Sequence, residues 1–208
     1  MKTYLHTIQQ FQKIFLMVSV AMMLALPILL AFYPESISDT TMTHLYDLSH
    51  IAVFFVMIIR PLADIFFTSK YIRPLVILRK GVGVLSASLV MSIIFSKIIV
   101  DPSGYFSSFG TTSYWSLYNY ALLAHLADIS AFILLITSNN LSKRLLGATW
   151  KRIQKLSYVF FYASSLYVFL SYGHVSVAFS MTIVTALTLI AYYKNKKRRL
   201  LIAEVSNT

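Results

Sequence analysis

Residues 45–67, "LYDLSHIAVFFVMIIRPLADIFF", form one long run in which apolar side chains dominate. An α-helix rises 1.5 Å per residue, so about 20 such residues cross roughly 30 Å of hydrocarbon. Apolar and polar residues do not alternate along the run, which argues against the strands of about ten residues found in membrane β-barrels. The stretch therefore predicts a membrane-spanning α-helix.

Five further apolar runs of similar length follow the same pattern, so six spans are predicted in all. Their approximate limits are 14–32, 45–67, 81–100, 116–136, 156–170 and 175–193. The chain is 58 % hydrophobic and 12 % charged, whereas soluble domains are about 45–50 % apolar and about 25 % charged. The first run is longer than the roughly 7–15 residues of a signal-peptide core and is expected to be retained. We predict a single all-α transmembrane domain over residues 1–208, a bundle of six transmembrane helices in contact with the lipid bilayer.

Basic residues are concentrated in alternate connections between the predicted spans. Sixteen of the 18 precede the first span, follow the sixth, or lie between spans two and three or four and five: Lys2, Lys13, Lys70, Arg73, Arg79, Lys80, Lys143, Arg144, Lys151, Arg152, Lys155, Lys194, Lys196, Lys197, Arg198 and Arg199. Only Lys97 lies near the other side. The positive-inside rule predicts that both termini are cytoplasmic. The net charge of +11 is thus a topology signal, and no nucleic-acid partner is expected.

The sequence offers no self-contained catalytic site. It contains no cysteine, which excludes iron–sulfur clusters and thiolate metal sites. It also lacks a glycine-rich nucleotide loop and a nucleophile elbow. Whether the protein is part of an enzyme therefore stays open.

Ionisable residues inside predicted spans are functional candidates, because a charge in hydrocarbon is expensive. Arg60 and Asp64 are four residues apart around Pro61, so they are expected to form an internal ion pair; the alternative is an anion contact by Arg60. His125 and Asp128 share a helix face near mid-bilayer. That pair could be an interhelical hydrogen-bonded pair, a haem ligand with Asp128 supporting the imidazole, or a proton or quinone site.

Three stretches resemble the ferric reductase-like transmembrane superfamily, in particular the haem-binding membrane subunit of the periplasmic methionine sulfoxide reductase system. They are "HIAVFFVMIIRPLADIF", "LRKGVGVLSASLVMSIIFSK" and "TSNNLSKRLLGATWKRIQKLSY". The third is similar to a motif T-S-x5-R-x-L-G-x-x-W-x-x-L-H-x-x-x-Y, to which residues 137–158 align without a gap. Gly147, Trp150 and Tyr158 fall in step with it.

The resemblance implies a six-span b-type cytochrome of the bacterial inner (plasma) membrane, with haem-binding histidines on spans three and five. Electrons would pass from quinol or flavin to a redox protein outside the cytoplasm. The sequence departs from the family where those ligands fall, at Ile93, Gln154 and Tyr167. Isoleucine cannot bind iron, glutamine is a poor ligand, and tyrosine binds mainly ferric haem.

Two interpretations follow. In the first, the chain is an electron-transfer subunit of an oxidoreductase. His50 and His125 bind the iron of haem b in this interpretation, and Tyr167 and Gln154 contact the haem. Asp128 hydrogen-bonds to a histidine ligand and supports it. FMN or a quinone is a further candidate cofactor. In the second, the chain is a haem-free subunit that anchors or regulates another membrane protein. A transport function would rest on Asp128 and the Pro61 break alone.

Overall fold

The computed structural model describes residues 1–34, 38–118 and 120–206, and helices dominate these residues. They are α1 Lys2–Phe32, α2 Asp39–Ile65, α3 Leu78–Val100, α4 Pro102–Ser108, α5 Ala121–Thr137, α6 Asn140–Ile153, α7 Leu156–Tyr172 and α8 Val175–Ser206. A 3₁₀ turn, Arg73–Ile77, leads into α3. No β-strand occurs within these ranges. The prediction of an all-α chain is confirmed.

Four of these helices are each long and apolar enough to cross a membrane: α1, α2, α8, and α3 together with its 3₁₀ turn. α5 and α6 meet the same test only as a pair, and they are bent by 115° at the break between them. α7 is apolar but has only 17 residues. The described chain therefore holds four or five candidate spans, as expected of an integral membrane protein.

Helix boundaries differ from the apolar runs where local backbone or helix propensity outweighs hydrophobicity. α1 begins near the chain start, and α8 continues through the basic residues 194–199. α5 begins at Ala121, not near residue 116, because Tyr120 has a left-handed conformation (φ 55°) that a helix cannot contain. His125 consequently lies in the second turn of α5, about 6 Å along the helix, nearer the helix end than the expected mid-bilayer position.

Four of the helices, α2, α3, α5 and α7, form a ring. The two others of membrane-spanning length, α1 and α8, pack against the outside of this ring. In the ring, α2 contacts α3, α3 contacts α5, α5 contacts α7, and α7 returns to α2. α1 packs on α3 from outside, and α8 packs on α2 and α7. We call the end with the start of α1 and the end of α8 the termini end, and the opposite one the far end. Hydrogen bonds from Tyr4 to Tyr71, Lys80 to Asn140, and Arg198 to Asp64 tie the termini end together.

The centre of the ring is a close-packed apolar core. Phe161 is 0 % exposed, Met57 1 % and Met91 2 %, so α7, α2 and α3 meet without a gap. Ala131 of α5 completes this core on the fourth side of the ring, because its small side chain allows α5 to approach the other three helices. Lipid offers no hydrophobic force between helices, so dispersion contacts in such a centre carry the packing.

Small residues on α3 let neighbouring helices approach closely. At Gly81, an added Cβ would lie 3.0 Å from the carbonyl oxygen of Gln12 in α1. Towards α2, the Ser86 hydroxyl donates to the Ser49 carbonyl at 2.9 Å, and the Ser49 hydroxyl lies 3.2 Å from the Ser86 carbonyl. The two hydroxyls are 3.0 Å apart. Close approach and hydrogen bonds of this kind replace the hydrophobic effect between membrane helices.

Candidate functional site

Ile93, Gln154 and Tyr167, which align with the haem ligands of ferric reductase-like proteins, make other contacts in this structure. Ile93 is 6 % exposed on α3. Gln154 ends α6, and its amide lies 3.5 Å from the Thr137 hydroxyl. The Tyr167 ring of α7 packs edge-on against Tyr172, with ring centres 6.2 Å apart. Each of the three positions therefore has an ordinary packing or hydrogen-bonding environment.

The motif residues around Gln154 fold the chain back beneath α5. Gly147 adopts φ 50° and ψ −121°, a conformation that interrupts α6 and that favours glycine. Trp150 then donates its indole N–H to the Thr137 carbonyl at 2.9 Å, which satisfies one of the carbonyls left open at the end of α5. Lys143 lies 5.6 Å from the Trp150 ring centre. Gly147 and Trp150, which carry the resemblance, thus have structural roles here.

His50 faces the α2–α7 contact. Its Nε2 lies 3.4 Å from the hydroxyl of Ser165, a side chain that is fully buried on α7. The imidazole itself is half-buried. His50 is therefore placed as an interhelical hydrogen-bonding residue of the ring.

His125 is covered by aromatic rings of the connection between α4 and α5. It stacks on Tyr114 with ring centres 3.5 Å apart and planes 9° from parallel, and Trp115 meets it edge-on at 5.9 Å. The Tyr114 backbone also lies beside the imidazole. One face of the His125 ring is thus covered, and the stack holds the ring in one orientation.

The cover over His125 is built from residues that the sequence interpretation did not single out. Phe109 packs against Tyr105 at 5.3 Å and against Tyr114 at 4.7 Å between ring centres. Trp115 donates its N–H to the Phe109 carbonyl at 2.9 Å. We call Tyr105, Phe109, Tyr114 and Trp115 the aromatic cap. The density of aromatic residues in "GYFSSFGTTSYW" was the available signal.

Asp128 lies among polar groups from three elements. It is within electrostatic range of Lys97 on α3 and of Tyr105 and Tyr114 in the cap. Burial raises the pKa of Tyr114 to about 12, with Tyr105 and then Asp128 adding to the shift. Burial, followed by Asp128, also raises the pKa of Tyr105. We call Lys97, Tyr105, Tyr114, His125 and Asp128 the far-end cluster.

The far-end cluster brings together an imidazole, a carboxyl, an ammonium and two phenols, which are groups that take part in proton transfer in membrane proteins. The Tyr105 and Tyr114 side chains are neighbours in it. In the sequence, Lys97 differs from sixteen of the other basic residues only in lying near the opposite side of the membrane. Its approach to Asp128 follows from packing between α3 and α5, and no local pattern encodes it.

The structure gives the two histidines different neighbours. His50 contacts α7, and His125 contacts the aromatic cap; within residues 1–34, 38–118 and 120–206, no hydrogen bond or ring contact joins them. Over the same ranges, no group of three or more His, Asp or Glu side chains is arranged to hold a metal ion. Shared haem ligation by His50 and His125 stays a prediction.

A haem between α3 and α7, as the resemblance implies, does not fit the residues present. The ring centre that it would occupy is filled by Met57, Met91 and Phe161. Protein interiors are packed as densely as organic crystals, so a large planar group would have to displace these side chains. The site that would hold it also lacks an iron ligand at Ile93.

Fold and site together define a polytopic, all-α membrane protein with a polar cluster at one end of its helix ring. No family model matches the chain, and no curated protein or solved structure matches it either. The resemblance to ferric reductase-like proteins rests on the three sequence motifs and stays a prediction.

Proposed function

We propose that the protein is a haem-free membrane subunit, divergent from ferric reductase-like proteins, that anchors or regulates another membrane protein. The observation that carries the proposal is the filled ring centre, where Phe161 is 0 % exposed. The side chains at the three ligand positions, Ile93, Gln154 and Tyr167, support it, since each is engaged by protein neighbours.

The proposed topology has six spans, with both termini in the cytoplasm of a bacterial cell and the far end outside. α5 and α7 have 17 residues each, or roughly 26 Å of helix, which lies at the short end of what spans a bilayer. Both belong to the ring and pack on each other. The basic residues of α6 and of the end of α8 support a cytoplasmic termini end.

This topology can be tested directly because the chain contains no cysteine. Single cysteines at Ser113 in the far-end connection and at Lys196 on α8 report the two sides. A membrane-impermeant maleimide applied to intact cells is expected to label Ser113→Cys and to label Lys196→Cys only after permeabilisation. The reverse pattern, or labelling of both in intact cells, would contradict the orientation.

Membrane electron transfer is the second candidate. It would link quinol or a cytoplasmic reductase to a redox protein outside the cytoplasm. One observation favours it: Tyr114 stacks on His125 with ring centres 3.5 Å apart, which holds the imidazole in one orientation, as neighbours of a metal-binding histidine do. In this proposal His125 and His50 bind haem iron, Asp128 supports the site, and FMN or quinone is an additional cofactor.

Absorption spectra separate the two functions. The protein is purified after expression with ample haem, and oxidised and dithionite-reduced spectra are recorded with a pyridine haemochrome assay. We expect no Soret band. A stoichiometric Soret band that is lost in both His125→Ala and His50→Ala, and retained in the control His6→Ala, would overturn the haem-free proposal and establish the second.

The subunit role has a separate test. Native membranes are solubilised mildly and resolved on a native gel with detection of this chain. The proposed role predicts migration in a larger assembly that contains a second protein in fixed ratio. Migration as the 23.7 kDa chain alone would contradict it.

A further inference from the structure

A basic cleft opens at the termini end between the end of α2 and the last turns of α8. Its volume is about 390 Å³. It is lined by Ile65, Phe67, Thr68, Lys194, Lys197 and Arg198. The cleft thus combines an apolar floor, one hydroxyl and three cations.

Phe67 contacts two guanidinium groups, and one of them, that of Arg198, lines the cleft. The Cζ of Arg73 lies 4.7 Å and the Cζ of Arg198 4.6 Å from the centre of the Phe67 ring. Arg198 also donates to the backbone carbonyl of Asp64. Cation–π contacts of this kind hold a guanidinium in place without neutralising its charge.

Among the side chains that the structure describes, no carboxylate forms an ion pair with a cation of the cleft. Asp64 is engaged by Arg60 at 3.3 Å and by the Asn195 amide at 3.3 Å. Arg60–Asp64 is the single ion pair among the side chains that the structure describes, so Lys194 and Lys197 have none. These two lysines are three residues apart and lie on the same face of α8, where like charges repel.

We propose that the cleft binds a phosphate group. Lysine and arginine are the residues that bind phosphate oxygens most strongly, and the Thr68 hydroxyl adds a neutral donor. The group can come from the headgroup of an anionic phospholipid or from a soluble phosphate. Ile65 and Phe67 beside the cations suit the glycerol and acyl portion of a lipid. The site differs from general attraction to an anionic membrane, which does not depend on which residues of a basic stretch are present.

The test compares two charge-matched double variants of the full chain in neutral detergent micelles. Lys194→Gln/Lys197→Gln removes two cations of the cleft. Lys196→Gln/Arg199→Gln removes two exposed cations of the same helix that do not line it. Binding of fluorescent phosphatidylglycerol and, as the neutral reference, phosphatidylcholine is titrated for each.

The cleft variant is expected to bind phosphatidylglycerol about 100-fold more weakly, about tenfold for each lysine that loses a hydrogen bond to the charged phosphate, and the control variant to lose far less. Phe67→Leu, which keeps every charge, is expected to weaken binding as well. Displacement of the lipid by inorganic phosphate alone assigns the cleft to a soluble phosphate, and lack of displacement assigns it to the lipid. Equal losses in the two double variants, unchanged binding in the cleft variant, or equal binding of phosphatidylcholine would overturn the proposal.

Discussion

The reciprocal serine contact between α2 and α3 leads to a quantitative prediction. Ser86 is 0 % exposed and Ser49 4 % exposed. Each hydroxyl has one proton, so the pair makes two interhelical hydrogen bonds at a time: Ser86 donates to the Ser49 carbonyl, and Ser49 donates to the Ser86 carbonyl or hydroxyl.

The expected destabilisation follows from the count of bonds. Interhelical hydrogen bonds in membrane proteins contribute about 0.6 kcal/mol on average. Ser86→Ala removes one bond and should lower the free energy of unfolding by about 0.6 kcal/mol. Ser49→Ala/Ser86→Ala should lower it by about 1.2 kcal/mol. Ser86→Val removes a bond and replaces the hydroxyl by two methyl groups, one heavy atom more at a closed contact, so overpacking of about 1–3 kcal/mol is added.

The assay is reversible unfolding in mixed micelles with increasing mole fraction of a denaturing detergent, followed by tryptophan fluorescence of Trp115 and Trp150. Ser107→Ala, at an exposed position with a local hydrogen bond only, serves as a control and should change the free energy by less than about 0.5 kcal/mol. We predict that the loss in free energy of unfolding is largest for Ser86→Val and then decreases through Ser49→Ala/Ser86→Ala and Ser86→Ala to the control. A valine variant as stable as the wild type would refute close packing of α2 on α3.

Three further predictions concern the core, the cap and the far-end connection. Phe161→Ala should destabilise the protein by about 3–5 kcal/mol and Phe161→Leu by much less, measured as thermal unfolding in detergent; equal effects would contradict a filled ring centre. Burial and the Tyr105 contact raise the pKa of Tyr114 from 10.0 to about 12. Its contribution to stability is therefore complete below pH 10 and lost as the pH rises towards about 12, and ultraviolet difference absorbance of wild type against Tyr114→Phe should show one phenol titrating late. The Gly104 N–H bond lowers the pKa of Asp101, so this contribution is lost as the pH falls through that lowered value. Gly104→Ala, whose Cβ would lie 1.9 Å from the Asp101 carboxylate, should open the contact at neutral pH and speed hydrogen exchange of amide 104; unchanged exchange would contradict the contact.

Features set by neighbouring residues in the chain could be predicted from the sequence. The apolar runs predict helices because every backbone group in hydrocarbon must be paired internally. The Arg60–Asp64 pair was predicted from its spacing of four residues and is confirmed at 3.3 Å. Both depend on hydrophobicity or on positions within one helix, which the sequence shows directly.

Features that join distant parts of the chain could not be predicted in the same way. The stacking of Tyr114 on His125 depends on how the far-end connection folds over α5. The late start of α5 depends on the backbone of Tyr120, whose residue type does not indicate a left-handed conformation. The approach of Lys97 on α3 to Asp128 on α5 likewise depends on how these two helices pack. Hydropathy and spacing do not determine such tertiary contacts.

The packing of α1 on α3 sets an order of events during biosynthesis. α1 ends at Phe32, whereas its principal partner α3 ends at Val100. At about 5–20 residues per second, roughly 3–14 seconds of translation separate the two. During that interval α1 must reside in lipid or in an insertion factor without α3. The close contact between the Gln12 carbonyl and Gly81 has not yet formed. The nascent chain therefore assembles its first interhelical groove only after a third hydrophobic segment has left the ribosome.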